Sequence, residues 1–157
     1  MPDEPHLIET TAADPEALAL FASQEAEVMR RYGGDDPGPR PHPGAPTLLL
    51  RLGDAAVGCV ALSADGSLGE IKRMFVAESA RGRGLSRLLL GGVEELARRR
   101  GVETLRLVTG TEQPEAMALY SSSGYLPIPG FGYWGDEPAT RCFAKRLAPA
   151  VIGEHAE

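Results

Sequence analysis

The sequence has no run approaching the ~18 apolar residues that a membrane-spanning helix needs, which argues against a membrane protein. Its start, Met1-Pro2-Asp3-Glu4-Pro5-His6, has neither the basic region nor the apolar stretch of a secretory signal, so a soluble, cytoplasmic protein is expected. Cysteine is scarce. Cys59 and Cys142 each sit inside an apolar, strand-like stretch with no CxxC spacing, which excludes a disulfide framework and points to two buried, reduced thiols. Histidine is as scarce: His6 and His155 lie near the ends and His42 in a proline-rich stretch, so no metal site is expected. Positive charge is in deficit, with 16 Lys and Arg against 22 Asp and Glu, a formal charge of -6 and a pI near 5.1. A nucleic-acid partner is therefore not expected, because phosphate backbones call for a basic field. Even so, Arg81, Arg83, Arg87, Arg98, Arg99 and Arg100 crowd one segment of this acidic chain, which suits a small anionic ligand.

At 157 residues and 43% hydrophobic composition, the chain has the size and apolar content of one domain, with a core over about 6–147 and a frayed tail over 148–157. A first strand is expected over Leu7–Thr11. Asp14 before Pro15 forms a helix start, and the helix should run to Tyr32 with Leu18, Phe21, Ala22, Val28 and Met29 on its apolar side, interrupted by Gln24 and Glu25. Residues 47–52 and 55–63 read as a hairpin around Gly53-Asp54, and 69–77 as a third antiparallel strand. The strongest helical period runs from Gly84 to Arg100, with Leu85, Leu88, Leu89, Val93 and Leu96 in phase and Gly101 to stop it. The three arginines of its last turn complement the helix dipole without needing a ligand. A strand over 103–109, a short helix over 114–123 and a strand over 141–147 follow. Mixed α/β architecture results, largely antiparallel in its front half, with a crossover from 69 to 109 that pairs its two strands in parallel.

Between the strand ending at Ala77 and the helix from Gly84 stands Glu78-Ser79-Ala80-Arg81-Gly82-Arg83-Gly84-Leu85-Ser86. A glycine-rich turn feeding a helix start brings backbone N–H groups and the positive end of the helix dipole to one spot, which suits a phosphate. The segment is not GxxxxGK[ST], and Arg87 stands where a dinucleotide fingerprint needs a small residue, so ATP hydrolysis and NAD chemistry are poor fits.

What the segment resembles is the acyl-CoA signature of the GNAT superfamily, (Gln/Arg)-x-x-Gly-x-(Gly/Ala), matched by Arg81-x-x-Gly84-x-Ser86 with serine for the last small residue. Downstream, Ala116-Met117-Ala118-Leu119-Tyr120 and Gly124-Tyr125 look like the family's A-x-x-L-Y helix and G-(F/Y) turn, in order and at the family's spacing. The resemblance covers most of the chain, from Leu7 to Leu147. It implies a central mixed, mostly antiparallel twisted sheet flanked by helices, with a splayed strand pair that admits acetyl-CoA. It further implies that Met74, Phe75 and Val76 bond the pantetheine arm, while the backbone of Arg81, Gly82, Arg83, Gly84, Leu85, Ser86 and Arg87 holds the pyrophosphate. Arg81 and Arg83 either add charge there or are solvated, and both readings stand.

On the same resemblance the activity is N-acetyltransfer to a primary amine of a small molecule or peptide, with dimerisation common among such proteins and no interface legible. An amine attacks a thioester only as its free base, so a carboxylate that takes the ammonium proton is useful; Glu70 aligns with the family's glutamate, though it is equally placed to pair with Lys72. Tyr120 matches the family tyrosine that protonates the departing thiolate, and Gln113 stands near a cofactor-contacting asparagine of many relatives. The loop 33–46 and the segment 129–136 are expected to wall the acceptor pocket, with Asp35, Asp36 or Asp136 available to a cationic amine and Phe131, Tyr133 and Trp134 to an apolar one. A noncatalytic acyl-CoA-binding module is the competing reading, since a fold does not fix its function.

Overall fold

The computed structural model describes residues 4–34, 37–111 and 113–149; Asp35 and Asp36, and the tail from 150, lie outside them. Seven strands form one sheet: β1 (Pro5–Thr11), β2 (Pro46–Leu52), β3 (Ala55–Asp65), β4 (Leu68–Val76), β5 (Thr104–Gly110), β6 (Leu126–Ile128) and β7 (Thr140–Arg146). The helices are α1 (Pro15–Tyr32), α2 (Leu85–Arg99) and α3 (Pro114–Ser122), with a single 3-10 turn at Glu78–Ala80. The sheet order is β1-β2-β3-β4-β5-β7-β6, antiparallel throughout except between β4 and β5. The expected fold class and the parallel crossover are thus observed. The three-residue β6 was not expected: Pro127 at its centre and Leu126, 69% exposed, carry no strand alternation, and only pairing with β7 makes it a strand.

Helix α1 begins as its sequence requires. Asp14 accepts from the N–H of Glu16 at 2.8 Å and from the Thr10 hydroxyl at 2.9 Å, Pro15 supplies a preset φ, and Gly33 at φ 73° ends the helix. Its buried face is Ala17, Leu20 and Phe21, not the expected Leu18 and Ala22, which point to solvent. Continuing that face along the helix reaches Gln24, Val28 and Arg31, so the break in the apolar stripe is where the helix leaves the core.

The two sides of the sheet differ. Leu48, Leu50, Val60, Leu62, Ile71, Leu105, Leu107 and Phe143 pack against α2 and the Leu119–Tyr120 end of α3, while Leu49 and Cys59 pack against α1. Both cysteines are buried free thiols, as expected. Burial pushes the Cys59 thiol up to about 12, which keeps it an inert SH group. At the far end of α2, Arg98 donates to the Ala148 carbonyl at 2.9 Å, and Arg99 and Arg100 pair with Glu9, so these arginines have structural partners.

Beneath α2, the Tyr125 hydroxyl donates to Glu94 at 2.8 Å and the Lys145 ammonium lies 3.1 Å from the same carboxylate, with Tyr125 1% and Glu94 7% exposed. Removing the hydroxyl leaves a buried carboxylate short of a donor. Tyr125→Phe is expected to lower stability by about 1–3 kcal/mol in urea unfolding while keeping the fold, and an unchanged midpoint would show that this bond contributes nothing.

Candidate functional site

Strands β4 and β5 pair only from Leu68 opposite Thr104 to Glu70 opposite Arg106, after which they diverge. A bulge follows the end of this pairing. Between the pairs Ala61–Lys72 and Cys59–Phe75, β3 contributes Val60 alone while β4 contributes Arg73 and Met74. Arg73 has φ 56°, the one positive φ outside glycine among the described residues, at a cost of about 1–2 kcal/mol. Its side chain is correspondingly well held. One terminal nitrogen donates to Glu25 at 2.8 Å, the other reaches the carbonyls of Gly38 and Pro39 at 3.2 Å each, and the guanidinium lies 5.9 Å from the Phe21 ring centre. Past the bulge, the β4 edge at Met74–Val76 faces a gap where β5 would have continued, with no strand paired to it there; the Met74 and Val76 carbonyls accept instead from the Gln24 and Arg81 side chains.

That gap is a cleft of about 410 Å³. Met74, Phe75 and Val76 form one wall, Arg81, Gly82, Gly84, Leu85, Ser86 and Arg87 the end, and Gln113 and Tyr120 the opposite wall. The structure thus gathers every expected cofactor-binding residue except Arg83, which is exposed and off the wall. Gly82 and Gly84 stand at φ 83° and 75°, and a Cβ on either would meet no atom within 4 Å, so the space before the turn is open to a ligand. Gly84 precedes α2, whose first turn carries no acidic residue and whose start has no side-chain cap. Its leading N–H groups and positive dipole end are free for an anion.

The arginines are partly committed. Arg81 donates through Nε to the Val76 carbonyl at 2.9 Å and pairs with Glu27 at 2.6 Å, its guanidinium 5.5 Å from the Phe75 ring centre. It therefore braces the loop against β4, a use that sequence alone left open. Arg87 donates to the Ser122 hydroxyl at 3.0 Å, tying α2 to the end of α3.

Tyr120 is buried on the cleft wall, its ring edge-on to Tyr125 with centroids 5.8 Å apart. Burial raises its pKa, so the phenol keeps its proton. Gln113 donates to the Tyr32 hydroxyl at 3.4 Å. Glu70 stands apart: its neighbours Gly69 and Ile71 face α2, so it lies on the α1 side at the vertex of the divergence, 3.4 Å from the Lys72 ammonium, and it is not among the cleft-lining residues.

Gln24 was missed as a site residue. Its Nε2 donates to the Met74 carbonyl at 3.1 Å, which fixes the amide orientation and leaves Oε1 buried without a donor on a cleft-lining residue. An orphan buried acceptor costs about 1–3 kcal/mol, which a ligand N–H would recover. The available signal was a glutamine on the core-facing stripe of α1. Among the described residues, no group of three or more His, Cys, Asp or Glu is arranged to hold a metal.

On the α1 side, the loop 33–46 and the segment 129–136 meet, with Gly38 against the Trp134 indole. Glu25 anchors the first of these, accepting from Arg40 through both oxygens at 2.8 Å and from Arg73. The Arg40 bond, then Arg73, hold the Glu25 carboxyl at about 2 against an ordinary 4.5, despite an opposing contribution from burial. A depressed folded-state pKa stabilises the protein above the unfolded value, and that contribution fades as pH falls from about 4.5 through 2. Thermal unfolding from pH 7 to 2 should show Glu25→Gln less stable at neutral pH and losing less on acidification than wild type; parallel curves would exclude the linkage.

A model of the acetyltransferase (GNAT) family matches residues 9–125. The chain is 38% identical over 102 residues to the IAA acetyltransferase of Azospirillum brasilense, covering 64% of this chain and 67% of that protein. It is 34% identical over 95 residues to the mycothiol acetyltransferase of Beutenbergia cavernae, covering 57% of this chain and 32% of that one. A solved structure from Klebsiella pneumoniae subsp. pneumoniae, assigned as an acyl-CoA N-acyltransferase, superposes with a TM-score of 0.79 at 30% identity over 92% of this chain and 98% of its own. A GNAT family acetyltransferase from Elizabethkingia anophelis, solved with acetyl-CoA bound, shares the fold with a TM-score of 0.70 at 19% identity, covering 92% and 99%.

Proposed function

Because the chain belongs to the acetyltransferase (GNAT) family and is an acyltransferase, we propose that it moves the acetyl group of acetyl-CoA to a primary amine of a small molecule or peptide, by direct attack with both substrates bound. The observation that carries this reading is the single cleft joining an uncapped helix start, two left-handed glycines and an unpaired strand edge. Acetyl-CoA supplies the acetyl group as a thioester. The backbone from Arg81 to Arg87 receives its pyrophosphate, with the Ser86 hydroxyl as a further donor, and the edge at Met74–Val76 receives its amides. Gln24 Oε1 accepts one ligand N–H, and Gln113 offers its amide across the gap.

Proton handling falls to two residues. Tyr120 retains its proton because of burial, so it can donate to the departing sulfur as negative charge develops there. Glu70, off the cleft wall, takes the amine proton through water. The compartment is the cytoplasm, a reading supported by the two unpaired thiols.

Calorimetric titration with acetyl-CoA tests the cofactor site. Binding by wild type that is abolished in Gly84→Glu, which sets bulk and negative charge before the helix start, is the expected result; no binding by folded wild type overturns it. With an amine screen read by thiol release, Tyr120→Phe and Glu70→Gln should each lower kcat by about 10²-fold or more, with acetyl-CoA affinity kept. Wild-type rates in both variants would remove these residues from proton transfer.

A further inference from the structure

Arg106 is a half-buried charge with no ion-pair partner among the described residues. It lies on β5 between Leu105 and Leu107, which face the α2 core, so its side chain emerges on the α1 side of the sheet, opposite Glu70 at the vertex where β4 and β5 part. Its guanidinium stacks 3.9 Å from the centre of the Phe131 ring. The Nε is buried without a hydrogen-bond partner, and among the described residues no carboxylate stands within ion-pair distance of it. Glu70, its neighbour in register, is paired with Lys72 instead. A buried, unpartnered donor on a charged group is a standing cost, and a stacked ring that fixes the plane of the guanidinium pre-orients its remaining donors.

Resting on the acetyltransferase reading, we propose that the acceptor amine carries a carboxylate, and that Arg106, flattened under Phe131 and assisted by Lys72, is the group that binds it. Three local features select this chemistry. Lys72 and Arg106 set two positive charges against the one carboxylate of Glu70, an excess of one charge, which matches a monoanion better than a phosphate dianion. A planar guanidinium fork fits a planar carboxylate through two parallel bonds. The position is also right: Arg106 faces the side of the sheet where the loop 33–46 meets the segment 129–136, the second of which supplies Phe131. The acceptor's carboxylate is thereby held beside the residue proposed to receive the proton of its amine. This excess positive charge is local, set in a chain whose overall charge of -6 would repel such a substrate.

The test uses primary amines in matched pairs, each L-amino acid beside its own carboxamide, which preserves shape and removes the charge. Acetyl transfer is followed by thiol release with wild type, Arg106→Gln and Arg106→Lys, and binding of the same pairs to CoA-saturated protein is measured by calorimetry. In wild type the carboxylate members should bind and react in preference to their carboxamides. Arg106→Gln should raise KM for carboxylates by about tenfold to a hundredfold while leaving kcat and the carboxamide values near wild type, with partial recovery in Arg106→Lys. Equal handling of the two members of each pair by wild type, absence of carboxylate binding, or a preference that survives Arg106→Gln overturns the proposal. The wild-type comparison stands alone should a variant fail to fold, and the binding arm stands should turnover fail. Loss of acetyl-CoA binding bears on the enzymatic reading only.

Discussion

The parting of β4 from β5 is the constraint on which the rest of this molecule depends. Parallel strands gain by continuing to pair, and here they stop after Glu70 and Arg106, just before β4 takes in an extra residue at Arg73–Met74. The bulge turns the strand, shifts its alternation by one, and leaves Met74–Val76 with an open edge over the cleft. Arg73 bears the strained backbone, and its side chain returns the cost through Glu25, two loop carbonyls and the Phe21 ring. The same residue thus sits at the bulge beside the cleft and fastens the loop 33–46.

Helix α1 serves two purposes along its length. Its first half is an ordinary amphipathic helix packed through Ala17, Leu20 and Phe21. Its second half replaces apolar residues by polar ones: Gln24, Glu27 and Arg31 reach the cleft-lining Met74, Arg81 and Glu115 of α3, while Glu25 holds Arg73 and Arg40, none of which lines the cleft. Ion pairs at such partly exposed positions contribute little stability each. Their effect is to define where the second half of α1 stands relative to β4 and α3, and so how wide the cleft is.

Much of the fold was legible because its signals are local. Asp14-Pro15, Gly53-Asp54, the heptad-like leucines of 85–96 and the glycines at 82, 84, 101 and 124 each constrain the backbone within a few residues of themselves, and the elements begin and end where these signals stand. The glycine turn before α2 was legible for the same reason, since a glycine at positive φ before a helix start is a short-range property. The buried face of α1 was misjudged: Leu18 and Ala22 look as apolar as Leu20 and Phe21, and only the sheet underneath distinguishes them.

By itself, the sequence determined the order of strands and helices apart from the short β6, the glycine turn before α2, and the tyrosine that follows at a fixed spacing. These are written in residues near one another, so propensity, capping and positive φ suffice to read them. Tertiary structure alone decided that β4 bulges at an arginine, that Arg81 braces the loop it belongs to, that Gln24 keeps a buried oxygen without a hydrogen-bond partner, and that Arg106 lies against Phe131 with its Nε unpartnered. Each of those joins side chains from different elements. Whether a charge or amide is satisfied depends on partners at any sequence distance, which the folded sheet specifies and local pattern does not.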